Sequence, residues 1–270
     1  VVSDFGKRGG LVKWVSGKLA KRFRSGQHKR ARSARLAAFF TGNPRIMTDT
    51  FEALSALLNQ RRSCRGFLPQ ALDDQQLRDL LAPALRAPSN CNTQPWYLHI
   101  ASGEAIERLR RRLPEDFMAG RLTLDFPYDG KYEGEFRDRQ YASAQALYSA
   151  LGIERSDKPA RNLAFMRNFT FFDAPHVGFF CLPAGFSERE ACDLGMFAQS
   201  VMLLLEAAGV HSCPQTALGF LSDSIREELD IPQEQRLMFG LSFGYPDPES
   251  PANACVTERC AVSELITLHH

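Results

Sequence analysis

Arg61-Arg62-Ser63-Cys64-Arg65 sets three guanidiniums, a hydroxyl and a thiol within five residues. Like charges packed that closely repel one another unless an anion sits among them. A phosphate monoester suits the gap: it carries up to two negative charges, and each guanidinium offers a planar fork of donors. The alternative is a solvated basic helix end, favourable against the negative end of a helix dipole. Both readings need an element that delivers the cluster. Phe51, Leu54, Leu57 and Leu58 lie just upstream at the spacing of one helix face, so the sequence predicts a helix over residues 50–60.

Downstream, Asp73 and Gln76 are spaced as a capping box for a second helix, with Leu77, Leu80, Leu81, Ala84 and Leu85 on its buried face and a kink at Pro83. The polar, proline-bounded loop from Ala87 to Trp96 then feeds a strand over Tyr97–Ala101. Gly103–Arg112 reads as a short surface helix. Residues 113–140 show no period; Phe117, Phe126, Tyr128, Tyr132 and Phe136 make this stretch a candidate lid or acceptor wall. Helices are predicted over residues 139–150 and 157–168, and a buried strand over Pro175–Leu182. Ser187 opens the longest helix of the body, Glu188–Ala208, closed by Gly209. His211–Ala217 reads as a tight loop, Ser222 starts a short helix, Arg236–Tyr245 is a last strand, and residues 246–270 form a proline-containing tail. This order is α+β, without regular βαβ winding. Neither Gly-rich nucleotide fingerprint is present, so any phosphate here is held by arginines.

With 270 residues, 44% of them hydrophobic and 20 of them Phe, the chain can bury a sizeable core. No apolar run approaches the ~20 residues of a membrane span, so a soluble, cytoplasmic body is expected. Seven cysteines make no C-x-x-C pair and no zinc-like cluster, which predicts reduced thiols and no metal. His99, His176 and His211 lack an evident catalytic partner and are read as structural. The charge is uneven. Residues 1–47 hold twelve Lys or Arg against one acid, a net +11, and the other 21 basic and 30 acidic residues leave −9. The domain reading is a basic extension over 1–47, disordered or foreign to the natural chain, and one body over 48–270. Leu11, Val15, Leu19 and Phe23 could share a helix face for membrane or nucleic acid, and the composition also suits a transit-like segment. Neither use is expected of it. Before the body, Asp49 and Glu52 are spaced as a capping box just after Met47.

Arg61-Arg62-Ser63-x-Arg65-x-Phe67 and Pro88-Ser89-x-x-Asn92-x-Gln94-Pro95-Trp96 together resemble the flavin-dependent nitroreductase family. The likeness continues through Asn168, Phe171-Phe172-Asp173-Ala174-Pro175, Gln199, Cys213-Pro214-Gln215 and Phe243-Gly244-Tyr245-Pro246, and covers nearly all of residues 50–262. Leu151-Gly152-Ile153-Glu154-Arg155, within the stretch from Phe126 to Asp173, resembles the branch of nitrobenzoate and related nitroaromatic reductases. The resemblance implies a mostly antiparallel central sheet flanked by helices, and an intertwined homodimer with FMN at the subunit interface. It implies that Arg61, Arg65 and Arg259, with Ser63, hold the FMN phosphate, Arg62 standing where the family usually puts another flavin contact. The loop of Pro88, Ser89, Asn90 and Asn92 would reach the isoalloxazine from the partner subunit, though Ser89 and Asn92 could also simply cap a turn. Asn168 would face the pyrimidine side. Backbone N–H groups of the turn Pro214, Gln215, Thr216 and Ala217 would donate to flavin N5 and O4, which makes Thr216 and Ala217 the candidate catalytic positions. Many relatives carry an acid followed by Gly in that turn, so side-chain tuning of the flavin differs here.

The implied chemistry is hydride transfer from NADH or NADPH to flavin N5, then onward to a small, electron-poor aromatic acceptor in the same slot, hence ping-pong kinetics. Two alternatives stay open at this point. One is another reaction on the same fold, such as reductive dehalogenation, flavin fragmentation or ring dehydrogenation. The other is a low-turnover module that binds flavin or, through the basic extension, polyanions.

Overall fold

The computed structural model describes residues 44–270, with side chains from residue 48 onward. The readings placed on Leu11, Val15, Leu19 and Phe23, and on the basic extension as a whole, lie outside the described residues. The chain divides after Ala56, and the second unit, residues 57–270, is compact. Helix α1 is Pro44–Gln60. It begins before Asp49, so the spacing of Asp49 and Glu52 falls inside the helix and does not cap it. Phe51, Leu54 and Leu58 on its apolar face are exposed.

The second unit is built on a four-stranded sheet of β1 (Tyr97–Ser102), β2 (His176–Pro183), β3 (His211–Gln215) and β4 (Gln235–Gly244), in the order β1-β2-β4-β3. All three pairings are antiparallel. The predicted α+β architecture with a central antiparallel sheet is the one observed. Strand β2 is buried along all but its last residue because it is covered on both faces. Phe179 and Cys181 point into one core with Leu109, Leu113, Phe169 and Ile225. Phe180 and Leu182 point into the other with Trp96, Leu194, Phe197 and Leu205. Alternation along a strand produces this division without any change of composition.

Helices α2 (Asp74–Leu81), α3 (Gly103–Met118), α4 (Gly134–Ala150), α5 (Lys158–Met166), α6 (Glu188–Ala207), α7 (Ser222–Leu229) and α8 (Val262–Leu265) surround the sheet. The capping box of α2 forms as expected: Asp73 accepts from the Gln76 N–H and Gln76 from the Asp73 N–H. The helix stops before Pro83 and tightens into a 3-10 turn over Ala82–Arg86, as a missing donor requires. Trp96 is core, stacked on Phe197 of α6 at 4.9 Å. Among the described residues, no helix is long and apolar enough to cross a membrane.

Three expectations change. His211–Gln215 is a strand, not a loop; within the sheet β3 pairs with β4 alone, Ser63 bridges its outer side at Ser212, and this edge position tolerates Pro214. Helix α3 runs six residues past Arg112, because Leu109 and Leu113 are fully buried and hold it to the core. The aperiodic stretch shrinks accordingly to residues 119–133. Phe117 belongs to α3 and packs on Phe169 at 4.4 Å. Phe126 lies under the Arg236 guanidinium, and Asp125 accepts from Arg226 and from the Leu237 N–H. The first half of the candidate lid is therefore pinned. Only Tyr128, Tyr132 and Phe136 keep exposed rings.

Candidate functional site

The arginine cluster leaves α1 as an irregular extended segment that pairs with the start of β3. Ser63 bridges Ser212, and the Cys64 N–H donates to the Ser212 carbonyl at 3.0 Å. This places Arg61, Arg62, Ser63 and Arg65 on one wall of a cavity of about 570 Å³. Val256, Thr257 and Arg259, from the other end of the unit, make the opposing wall. The link between the two walls is Asn253, a buried residue the sequence reading missed. Its Oδ1 accepts from the Arg65 N–H at 2.7 Å; its Nδ2 donates to the carbonyls of Gly66 at 2.8 Å and Asp247 at 2.9 Å. Gly66 is required for that approach: a Cβ there would stand 2.1 Å from Ser250 Oγ. No local pattern in the sequence announces either residue, because both act across nearly 190 positions of chain.

The electrostatics of this basin are one-sided. Among the described residues, Arg61, Arg62, Arg65 and Arg259 make no ion pair; Arg259 donates only to Thr257 and to the Glu258 carbonyl, and Arg65 to the Ser63 carbonyl. Glu206 is the one carboxylate in the lining, with His211 Nδ1 at 3.7 Å. His211, read as structural, lines the basin beside Glu206. Four uncompensated guanidiniums and a hydroxyl around a cavity of this size fit a phosphate dianion. They do not fit a thiol nucleophile. Burial pushes the Cys64 thiol up, against the lowering by Arg62 and Arg65, and pushes Cys213 up to about 11 despite the same positive field.

The other expected site residues lie apart from the basin within one chain. Strand β3 runs from His211, on the basin, to Gln215, four steps or roughly 13 Å away at the usual strand rise. Thr216 and Ala217 open the 3-10 turn Thr216–Phe220, where the first N–H groups have no partner inside the turn. Gln215 itself is buried and structural: its Nε2 donates to Asn168 at the backbone carbonyl (2.9 Å) and at Oδ1 (3.2 Å), and Ser242 Oγ donates to its Oε1. Asn168 Nδ2 donates to the Phe165 carbonyl at 2.7 Å. The amide expected to read a pyrimidine is thus largely engaged within the protein. In the Pro88–Asn92 loop, Ser89 Oγ accepts from the Gln94 N–H at 2.9 Å, the turn-capping role. Pro88, Ser89, Asn90 and Asn92 do not line the basin of their own chain.

Such a fold and basin define an α+β protein with a basic cavity between the two ends of one unit and a helical turn, exposed at Thr216, a strand's length away. A model of the Nitroreductase family matches residues 58–245, and the chain belongs to that family. It is 36% identical over 217 residues to the nitroreductase NfnB of Mycolicibacterium smegmatis, covering 80% of this chain and 92% of that protein. It is 31% identical to a 4-nitrobenzoate reductase of a Nocardioides species, covering 83% and 93%. The crystal structure of the FMN-dependent nitroreductase NfnB from Mycobacterium smegmatis in complex with NADPH superposes with a TM-score of 0.79 at 35% identity, over 82% of this chain and all of that one.

Proposed function

We propose that the chain is an FMN-dependent oxidoreductase that carries a hydride from NADPH or NADH to nitroaromatic or similarly electron-poor acceptors. The observation that carries this reading is the basin: four guanidiniums without a counter-ion, gathered from both ends of the unit in a member of this family. Bound there, FMN supplies the two-electron chemistry at its ring. The protein's part is to hold and orient. Arg61, Arg65 and Arg259, with Ser63, grip the phosphate, and Arg62 closes the exposed rim. Strand β3 spaces the phosphate wall from the turn at Thr216 and Ala217, whose backbone N–H groups donate to the polar edge of the ring and stabilise negative charge there. Relatives described as an NADPH-bound, FMN-dependent nitroreductase and as a 4-nitrobenzoate reductase support the donor and acceptor classes.

The site is completed by a second copy, in this reading. The loop of Pro88, Ser89, Asn90 and Asn92 is turned away from its own basin and is free to line the ring held by a partner subunit. The left-handed backbone at Cys91, Asn92 and Gln94 (φ 51°, 57° and 50°) holds that loop in a fixed, strained shape. Exposed apolar side chains on α1 supply a surface for pairing. All seven cysteines are free thiols, as suits a reducing cytoplasm.

The test is flavin itself. Purified protein is expected to be yellow, to release FMN rather than FAD on denaturation, and to give parallel-line kinetics with NADPH and 4-nitrobenzoate. Arg259→Ala removes one charge-assisted grip worth roughly 1.5–3 kcal/mol, so FMN affinity should fall roughly tenfold to a hundredfold with the fold intact. Wild-type FMN retention in that variant, measured by equilibrium dialysis, rules out the phosphate assignment.

A further inference from the structure

Helix α4 has a cavity on each side. Ser143 lines the arginine basin, while Tyr141, Gln145 and Tyr148 line a separate cavity of about 510 Å³ with Ile153, Arg155 and Arg161. At 100° per residue these three residues lie close to the side of the helix opposite Ser143. The second cavity is therefore not an extension of the first. Its far wall comes from the motif Leu151-Gly152-Ile153-Glu154-Arg155, which the flavin site does not use. Gly152 takes a left-handed conformation (φ 66°), and the Ile153 N–H returns to the Tyr148 carbonyl at 2.8 Å. That tight helix end folds Ile153 and Arg155 back beside Tyr148.

The charge in this cavity has no answer in the protein. Several other guanidiniums of the unit meet carboxylates: Arg112 meets Asp116, Arg167 meets Asp173 and Arg226 meets Asp125. Arg155 and Arg161 make no ion pair among the described residues, and no acid lines the cavity. The nearest acid in sequence, Asp157, is engaged in capping α5, where it accepts from the Ala160 N–H at 2.9 Å. Arg161 is half-buried, its guanidinium lies over the Tyr148 ring at 6.0 Å, and its Nε is enclosed without a hydrogen-bond partner. A cation whose inner edge is cut off from water is costly unless its outer edge finds an anion. Stacking on a ring holds the guanidinium plane fixed, so its fork is set for a planar, two-oxygen acceptor. Two tyrosine rings and Ile153 then offer flat apolar wall to whatever carries that acceptor. The volume lies within the range of small-molecule pockets.

We propose that this cavity binds a planar aromatic carboxylate of benzoate size, with Arg161 and Arg155 on the carboxylate and Tyr141 and Tyr148 against the ring, at a place separate from the flavin basin. The experiment titrates the FMN-loaded, full-length protein with benzoate by isothermal calorimetry, with benzyl alcohol as the neutral analogue and inorganic phosphate as competitor. Saturable benzoate binding is expected, with none for benzyl alcohol and no displacement by equimolar phosphate. Arg161→Gln should weaken benzoate at least tenfold, and Arg155→Gln, at an exposed position that carries no fold, several-fold. FMN content should stay unchanged in both, which separates this site from the flavin reading whichever of the two fails. Wild-type benzoate affinity in Arg155→Gln overturns the proposal even if Arg161→Gln misfolds. So does equal binding of benzyl alcohol, displacement by phosphate, or the absence of benzoate binding.

Discussion

Asn253 shows how much a single neutral side chain can organise. Its amide answers the backbone of Arg65, Gly66 and Asp247 at once, and so fixes the register between the arginine segment and the tail that carries Arg259. Alanine there would leave one N–H and two carbonyls without that partner in a buried place. The expected loss is about 2–4 kcal/mol of stability, with weaker FMN retention because the two walls of the basin lose their common brace. Thermal melts together with flavin release would show both effects; a variant with a normal melting temperature and normal flavin content would remove Asn253 from this role. The arginine cluster itself was legible in the sequence because like charges at that density need an explanation within a few residues. Asn253 and Gly66 were not, since their meaning lies in a contact formed only after the chain has closed on itself.

Strands β1, β2 and β4 and helix α6 stood out in the sequence because each buries enough apolar surface to leave a periodic or continuous signal. Strand β3 left none: His211-Ser212-Cys213-Pro214-Gln215 is short and polar, and only β4 pairs along its whole length. Helix α3 was cut short by its arginines and by Pro114, although Leu109 and Leu113 are its most deeply buried residues. Residues 119–133 are held less by apolar burial than by Asp125, which accepts from Arg226 and the Leu237 N–H and so ties the loop to α7 and β4. Arg226 is 4% exposed. Asp125→Ala would leave it only Asp223, and breaking a buried pair of this kind should cost about 3 kcal/mol, read as a fall of roughly 6–12 °C in Tm. An unchanged Tm would mean the loop is held by other contacts. His176 ties β2 to its surroundings in a pH-dependent way. Its Nε2 accepts from the Leu72 N–H at 2.8 Å, which makes Nδ1–H the donor to Ser102 Oγ at 2.5 Å. Burial holds its pKa below the ordinary 6.5. The unfolded chain therefore takes up a proton that the folded one refuses, and this contribution is intact above pH 6.5 and is lost as the pH falls below it. Urea midpoints at pH 7.5 and 5.5 should differ in that direction, and His176→Gln should flatten the difference.

Seen as a whole, a body with a net charge of −9 has to concentrate its positive charge if it is to hold an anion. It does so in the basin, where four guanidiniums face one another across a cavity with a single acid in its lining. Within one chain that basin is open, and the loop of Pro88–Asn92 stands away from it. Exposed large apolar side chains occur on α1, with Phe51 70% exposed, and along the C-terminal segment, with Leu265, Ile266 and Leu268 between 60% and 74% exposed. Exposed side chains of that size would suit pairing with a second copy, as the proposed shared site requires. If two copies share the ring between them, subunit dissociation and flavin loss are one equilibrium. Dilution should then raise free-FMN fluorescence with the same midpoint as the dimer-to-monomer transition followed by analytical ultracentrifugation. Added FMN should shift both midpoints to lower protein concentration, since a ligand that binds only the assembled form stabilises it by mass action. A monomer that keeps its flavin after dissociation would show that one chain suffices, and would confine the site to the basin and the turn at Thr216.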